Sequence, residues 1–179
     1  MDNQDIHTFF NTVYNSTYRK VLAYIIAKCG NVSDISDIFQ ETYMEFYVII
    51  SKKGIKYIKN SEAILMKLAR QKIYRNFSKS SRIKEQLLFL THANHDDEYF
   101  FADLIKDEIW IEDSIVNNEL IKEINLFLMQ KPEIIKKIFY LYYYLELSIP
   151  EIAKALSLGE SNVKNKLYRT LKELRKIYL

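Results

Sequence analysis

Residues 147–174 read LSIPEIAKALSLGESNVKNKLYRTLKEL, and the reading of this stretch decides the fold. Ser148 and Glu151 stand at the S-x-x-E spacing of a capping box, with Pro150 in the first turn, where a missing N–H leaves no hydrogen bond unmade. Ile152, Ala153 and Leu156 then fall on one helical face. Ser157, Leu158 and Gly159 supply a tight turn, after which Val163, Leu167, Leu171, Leu174 and Ile177 set the buried face of a last helix. Two helices across a short turn, the second opening on small polar and basic residues, are how a recognition helix is offered to the major groove. Its outward residues are Glu160, Ser161, Asn162, Lys164, Asn165, Lys166, Tyr168, Arg169 and Lys172. Asparagine can bond an adenine edge in two places and lysine or arginine a guanine edge, while the remaining cations can sit on phosphates. A plain helical hairpin shows the same periodicity, so this segment alone leaves both readings open.

The rest of the 179 residues points to an all-α protein. Hydrophobic residues make up 49% of the chain, but only three glycines and two prolines punctuate it, whereas β-rich folds need frequent turn residues. Gly30, Gly54 and Gly159 lie too far apart to write a glycine-rich phosphate loop, which removes the usual dinucleotide and nucleoside-triphosphate sites. A lone Cys29 excludes an internal disulfide and a cysteine-rich zinc site, and a small packed residue is the simpler reading of it than a nucleophile. The longest apolar run, residues 138–145, is well short of the roughly 18 residues a membrane span needs, and no basic-then-apolar signal opens the chain. The expectation is a soluble, cytoplasmic protein without a membrane span. His92, His95, Asp96 and Asp97 make an H-x-x-H-D-D cluster that could in principle hold a divalent metal, but it sits in an irregular acidic stretch and no separate ligand accompanies it. No metal, no cofactor and no catalytic residue is expected, and with no nucleophile–base pair in view, the chain reads as not an enzyme.

Upstream, helical spacing recurs. Ile6, Phe9, Phe10, Val13, Tyr14, Tyr18, Val21, Leu22, Ile25 and Ile26 make one amphipathic helix running to Lys28. Ser33, Asp34 and Asp37 supply capping and first-turn carboxylates for a second, whose inner stripe is Ile35, Ile38, Phe39, Thr42, Phe46 and Ile49. Gly54 ends it near a lysine-rich loop, residues 51–60. A third helix from Ser61 turns Ile64, Leu65, Leu68, Ile73 and Phe77 inward and leaves Lys67, Arg70, Lys72, Arg75, Lys79 and Arg82 outward. Residues 1–82 therefore read as a first helical domain, 83–113 as an acidic linker and 114–179 as a second domain ending in the helix-turn-helix. Within that second domain, one helix from Ile115 to Met129 is followed by another, resuming after Pro132, that carries the aromatic run Tyr140 and Tyr142 to Tyr144.

Charge is segregated along the chain. Residues 51–86 hold 11 basic and 2 acidic side chains, residues 87–126 hold 2 and 10, and residues 127–179 hold 10 and 5. Two basic blocks separated by an acidic one suggest two surfaces that each seek a polyanion, nucleic acid first among the candidates, although lysine-rich helices also serve simply to solvate a surface.

Three separated motifs, in order, resemble the small two-domain sigma factors of the sigma-70 family of bacterial RNA polymerase, the extracytoplasmic-function type. ISDIFQETYMEF, residues 35–46, looks like the region 2.2 helix, usually close to D-L-V-Q-E-T-F-L-x-x-W. ILMKLARQKIYRNF, residues 64–77, is similar to regions 2.3 and 2.4, and residues 145–174 are similar to region 4.2. Ile64 stands where the family has tryptophan, Gln71 where it has asparagine, Ser157 at the usual turn glycine and Gly159 at the usual serine cap. The resemblance implies an alternative sigma factor that binds core RNA polymerase, recognises promoter DNA and promotes transcription initiation. It implies that Asp34, Asp37, Gln40, Glu41 and Glu45 meet the clamp coiled coil of the largest catalytic subunit, and that the flap of the second subunit is a further contact. An anti-sigma factor restrains some members of the family. The last helix would read the minus-thirty-five element as duplex.

The minus-ten element, held as a single strand, would fall to Lys52, Lys53, Lys56, Tyr57, Lys59, Asn60, Lys67, Arg70, Gln71, Tyr74 and Arg75. Cations interleaved with aromatics suit a single strand, because phosphates need charge and unstacked bases need flat surfaces. Tyr57 reads equally as a stacking platform or as an anchor of its loop to the core. The competing function is a conventional helix-turn-helix transcriptional regulator that binds a palindromic duplex as a dimer without polymerase.

Overall fold

The computed structural model describes residues 3–87 and 115–178, with side chains described for 5–77 and 121–177. The chain divides into two compact units, Met1–His92 and Ala93–Leu179. Both are all-α, and no strand occurs among the described residues. The linker, its His92/His95/Asp96/Asp97 cluster and Arg82 with its neighbours lie outside the residues whose side chains are described.

The first unit packs three helices, α1 (Asn3–Lys28), α2 (Ile35–Lys53) and α3 (Ser61–Leu87), each against the other two. The α1 stripe read from the sequence supplies Val21, Leu22, Ile25 and Ile26, all buried, against Ile35, Phe46 and Ile50 of α2 and Leu65, Leu68, Ala69 and Ile73 of α3. Full burial of one such side chain contributes about 1.5–3 kcal/mol, which is why the periodic stripe and not local propensity holds the bundle. Tyr14, Phe39 and Tyr43 add an aromatic cluster, with the Tyr43 centroid 4.9 Å from each of the other two rings. The buried Tyr43 hydroxyl lies 2.9 Å from Thr17 Oγ1, which itself donates to the Val13 carbonyl, so Tyr43 is the donor of the pair.

Within the first unit, local structure differs from the sequence reading at several places. Asn31, not Ser33, caps the turn before α2: its Oδ1 accepts from the Ser33 N–H at 3.2 Å, and a 3₁₀ turn, Val32–Asp34, leads into the helix. Helix α3 continues to Leu87, so its backbone outruns the expected boundary at 82. Phe77, expected inside, is half-exposed, and its ring lies against Gly30, where a Cβ would stand 2.9 Å from it. Lys72, expected outside, is tucked between helices, its side chain only 12% exposed. Gly54 does stop α2: its N–H reaches the Ile50 carbonyl at 2.9 Å while its φ of 79° and ψ of 158° place it where side-chain-bearing residues are strained.

The second unit contains α4 (Ile115–Met129), α5 (Glu133–Phe139), α6 (Ile149–Leu156) and α7 (Glu160–Tyr178). Helix α5 runs into a π-helical turn, Tyr140–Tyr144, closed by Leu145 N–H to the Tyr140 carbonyl at 3.2 Å. That widened turn buries Tyr140 and Leu141 and leaves Tyr143 about half exposed, so the tyrosine run divides between core and surface. Ile138, Leu141, Ile152, Val163 and Leu167 form the centre of the core. Ile177, expected inside, is 58% exposed.

Candidate nucleic-acid interface

Helix α6 begins as its sequence requires: the Glu151 carboxylate accepts from the Ser148 N–H at 2.8 Å and from the Ser148 hydroxyl at 2.6 Å. These bonds hold the Glu151 carboxyl below the usual carboxylate range. The helix ends at Ser157, whose φ of 56° and ψ of 43° are left-handed, and the Leu158 N–H returns to the Ala153 carbonyl at 2.9 Å. That is the Schellman arrangement, in which glycine is the usual residue. The Gly159 carbonyl then accepts from Asn162 and Val163 N–H at 3.0 and 3.1 Å, which starts α7.

The turn fixes which side of α7 faces water. Val163, Leu167 and Thr170 are buried, and the Thr170 hydroxyl returns to the Lys166 carbonyl at 2.9 Å. Glu160, Ser161, Asn162, Lys164, Asn165, Tyr168, Arg169 and Lys172 are exposed, and Lys166 is half-buried at the edge of the same face. All nine residues expected on the recognition helix therefore lie at the surface. An open cleft of about 420 Å³ flanks them, lined by Lys131, Pro132 and Ile135 on one side and by Asn162, Asn165, Lys166 and Arg169 on the other.

In the first unit, Lys67, Arg70, Gln71, Tyr74 and Arg75 lie on the outer side of α3, and all five are exposed. Their spacing of three and four residues lines them along one face of α3, a stripe about 12 Å long at 1.5 Å per residue. Tyr74 is 76% exposed, an aromatic surface with no core role. Arg70, Gln71, Tyr74 and Arg75 border a shallow depression of about 530 Å³ with Glu45 on its rim. Lys52 and Lys53, expected in the loop, form the last turn of α2, and Lys56 and Lys59 follow in the connection to α3; all four are exposed, and Tyr57, at 54% exposure, is no core anchor. The Lys53 ammonium instead sits 4.5 Å from the Tyr57 ring centroid. Asn60 acts locally, as the cap of α3, where its Oδ1 accepts from the Ala63 N–H at 2.9 Å.

The acidic row on α2 is partly neutralised from within. Lys72 Nζ lies 2.7 Å from Glu45 and 3.2 Å from Glu41. The bond to Glu45 is the chief cause that raises the Lys72 pKa; burial opposes it, and the bond to Glu41 adds to it. Gln40 and Asp37 flank Glu41 on the outer side of α2, and Asp34 and Glu45 are half-buried. Sequence reading missed two residues on this face: Met44 is 61% exposed and Val48 45%. The available signal was that both fall off the stripe through Ile38, Thr42 and Phe46, so apolar side chains interrupt a polar face.

A third surface belongs to the second unit, an apolar groove of about 440 Å³ whose walls include Ile121, Ile124, Leu128, Phe139, Tyr143 and Leu171. Among the described residues no group of three or more His, Cys, Asp or Glu gathers as a metal site, and no described helix is long and apolar enough to cross a membrane.

A capped helix, a left-handed turn and a second helix bearing polar and basic residues outward define a DNA-binding helix-turn-helix. Residues 132–174 match the sigma-70 region 4 family, which covers α5, the π turn, α6 and most of α7. The chain is also 24% identical over 171 residues, 96% of its length and 85% of the relative's, to the ECF RNA polymerase sigma factor SigW of Bacillus subtilis (strain 168). A region 4 domain and a likeness that spans nearly the whole chain make this protein similar to sigma-70 factors of the extracytoplasmic-function type. These likenesses support a role in transcription, and RNA polymerase and promoter DNA are the partners that such a family implies.

Proposed function

We propose that this chain is an alternative sigma factor that binds core RNA polymerase in the cytoplasm, carries it to promoters and stabilises the opened DNA. The observation that carries the reading is the outer face of α2, where Met44 and Val48 are exposed beside Asp37, Gln40 and Glu41. An apolar centre with an acidic rim suits a basic helical partner such as the clamp coiled coil of the largest subunit. A protein that only reads DNA has no need of such a face. The apolar groove of the second unit supports a second polymerase contact, the flap of the second-largest subunit, and an anti-sigma protein would compete for the same two surfaces.

On the DNA side, α7 reads the minus-thirty-five element as duplex. Tyr57, Tyr74 and the cations of α3 hold the displaced minus-ten strand, offsetting part of the roughly 1.4 kcal/mol lost per opened base-pair step. Neither domain needs high affinity alone, since joining them in one chain raises the effective concentration of the second contact at correctly spaced promoters.

The test is a pull-down of the purified chain with core polymerase, followed by in vitro transcription on a promoter library. Retention of core enzyme and new transcript starts support the reading. Failure to retain core enzyme, with dimeric binding to a palindromic duplex, would establish the conventional regulator instead.

A further inference from the structure

The cleft beside α7 brings a cation from outside the helix-turn-helix to its edge. Lys131, in the connection between α4 and α5, faces Asn162, Lys166 and Arg169 across about 420 Å³ of open space. Its ammonium is held in place from two sides. Glu173 Oε2 is 2.7 Å away, and the Phe127 ring centroid lies 4.2 Å from Nζ. Glu173 in turn approaches Arg169, with Nε to Oε1 at 3.8 Å, so one carboxylate stands between two cations on the wall of a cleft that opens beside the recognition face.

We infer that this cleft is a sequence-independent site for a DNA backbone phosphate, in which Lys131 is the positioning cation and Glu173 the carboxylate that holds it while DNA is absent. The inference rests on the reading of α7 as a duplex-binding helix. Three positive side chains, Lys131, Lys166 and Arg169, converge on a cleft whose single carboxylate is Glu173. The Lys131 ammonium, first among several causes, keeps that carboxyl below its usual range, so it is ionised at neutral pH. A phosphate oxygen entering the cleft competes with Glu173 for the Lys131 N–H groups, and the three cations remain to balance the two anions. Phosphate contacts of this kind fix the register of a recognition helix without reading sequence. Lys131 pre-oriented over Phe127 also loses less side-chain freedom on binding than a free lysine does.

The test uses the full chain and a short labelled duplex of mixed sequence, titrated over a series of salt concentrations, with Arg169→Gln as the reference variant. Lys131→Gln is expected to weaken binding several-fold at low salt, equally for unrelated sequences. It should also reduce the slope of log affinity against log salt by about 0.9, the value for one phosphate. Lys131→Arg should restore the slope, and Glu173→Gln should tighten binding, since it removes the competing carboxylate. An unchanged slope in Lys131→Gln would overturn the inference, as would equal weakening by Lys131→Gln and Glu173→Gln, the pattern of an ion pair that only supports the fold. If Arg169→Gln weakens binding and Lys131→Gln does not, this inference alone fails. If the unaltered chain binds no duplex even at low salt, the reading of α7 fails with it.

Discussion

Replacing Lys72 with methionine separates two opposed electrostatic effects at the heart of the first unit. The substitution keeps most of the aliphatic stem and removes the ammonium that joins Glu45 at 2.7 Å and Glu41 at 3.2 Å. Charges about 4 Å apart attract by roughly 4 kcal/mol at an effective dielectric near 20. Solvent reduces this strongly here, because the two carboxylates are 41% and 58% exposed, and pairs of that kind are worth about 0.2–1 kcal/mol each. Losing the lysine also leaves Glu41 and Glu45, one turn apart on α2, repelling by about 0.2–0.5 kcal/mol. Against these stands desolvation of the ammonium, whose side chain is 12% exposed. The bond to Glu45, opposed by burial and aided by the bond to Glu41, raises the Lys72 pKa, the direction expected where pairing outweighs burial. The expected result is a loss of about 1–2 kcal/mol, read as faster hydrogen exchange at the buried amides of α2 and α3. At 1 M salt, where the Debye length is about 3 Å, the difference should shrink. A variant more stable than the parent would refute the reasoning, because desolvation would then dominate, and a loss indifferent to salt would assign the effect to packing.

Tyr74→Ala should weaken capture of a single-stranded minus-ten segment by the holoenzyme by about 5- to 150-fold, the equivalent of 1–3 kcal/mol for one stacked base, with unit stability unchanged. Fluorescence anisotropy on forked DNA measures it, and an unchanged affinity would remove Tyr74 from the strand-binding face. Ser157→Gly should stabilise the second unit by about 0.5–1 kcal/mol, since the left-handed penalty of roughly 1–2 kcal/mol exceeds glycine's added freedom in the unfolded chain; thermal circular dichroism should show a higher midpoint. Burial pushes the Tyr43 hydroxyl up to about 12. The folded state therefore keeps a proton that the unfolded chain releases near pH 10, so the stability Tyr43 contributes is intact below about pH 10 and is lost as pH rises toward 12. Alkaline denaturation of Tyr43→Phe should show a shallower decline over that window.

Much of the architecture was legible because its causes are local. The apolar stripes of α1, α2 and α3, the Ser148–Glu151 cap and the stop at Gly54 depend on neighbours within a few residues, and such neighbours are written side by side in the chain. The nine outward positions of α7 follow from one periodicity once Val163 and Leu167 are known to be inside. The same argument fails at Phe77 and Ile177, which continue their stripes by spacing yet are half-exposed, so periodicity names a side of a helix without naming what lies opposite.

By itself, then, the sequence determined a two-part helical protein with a helix-turn-helix at its end, because helix period and capping are short-range properties. Only the tertiary structure decided that Lys72 turns inward to bridge Glu41 and Glu45 and that Lys131 reaches the edge of the recognition helix. Each of those outcomes depends on pairs of residues brought together from different helices, and the distance between two helices is set by the packing of every side chain between them.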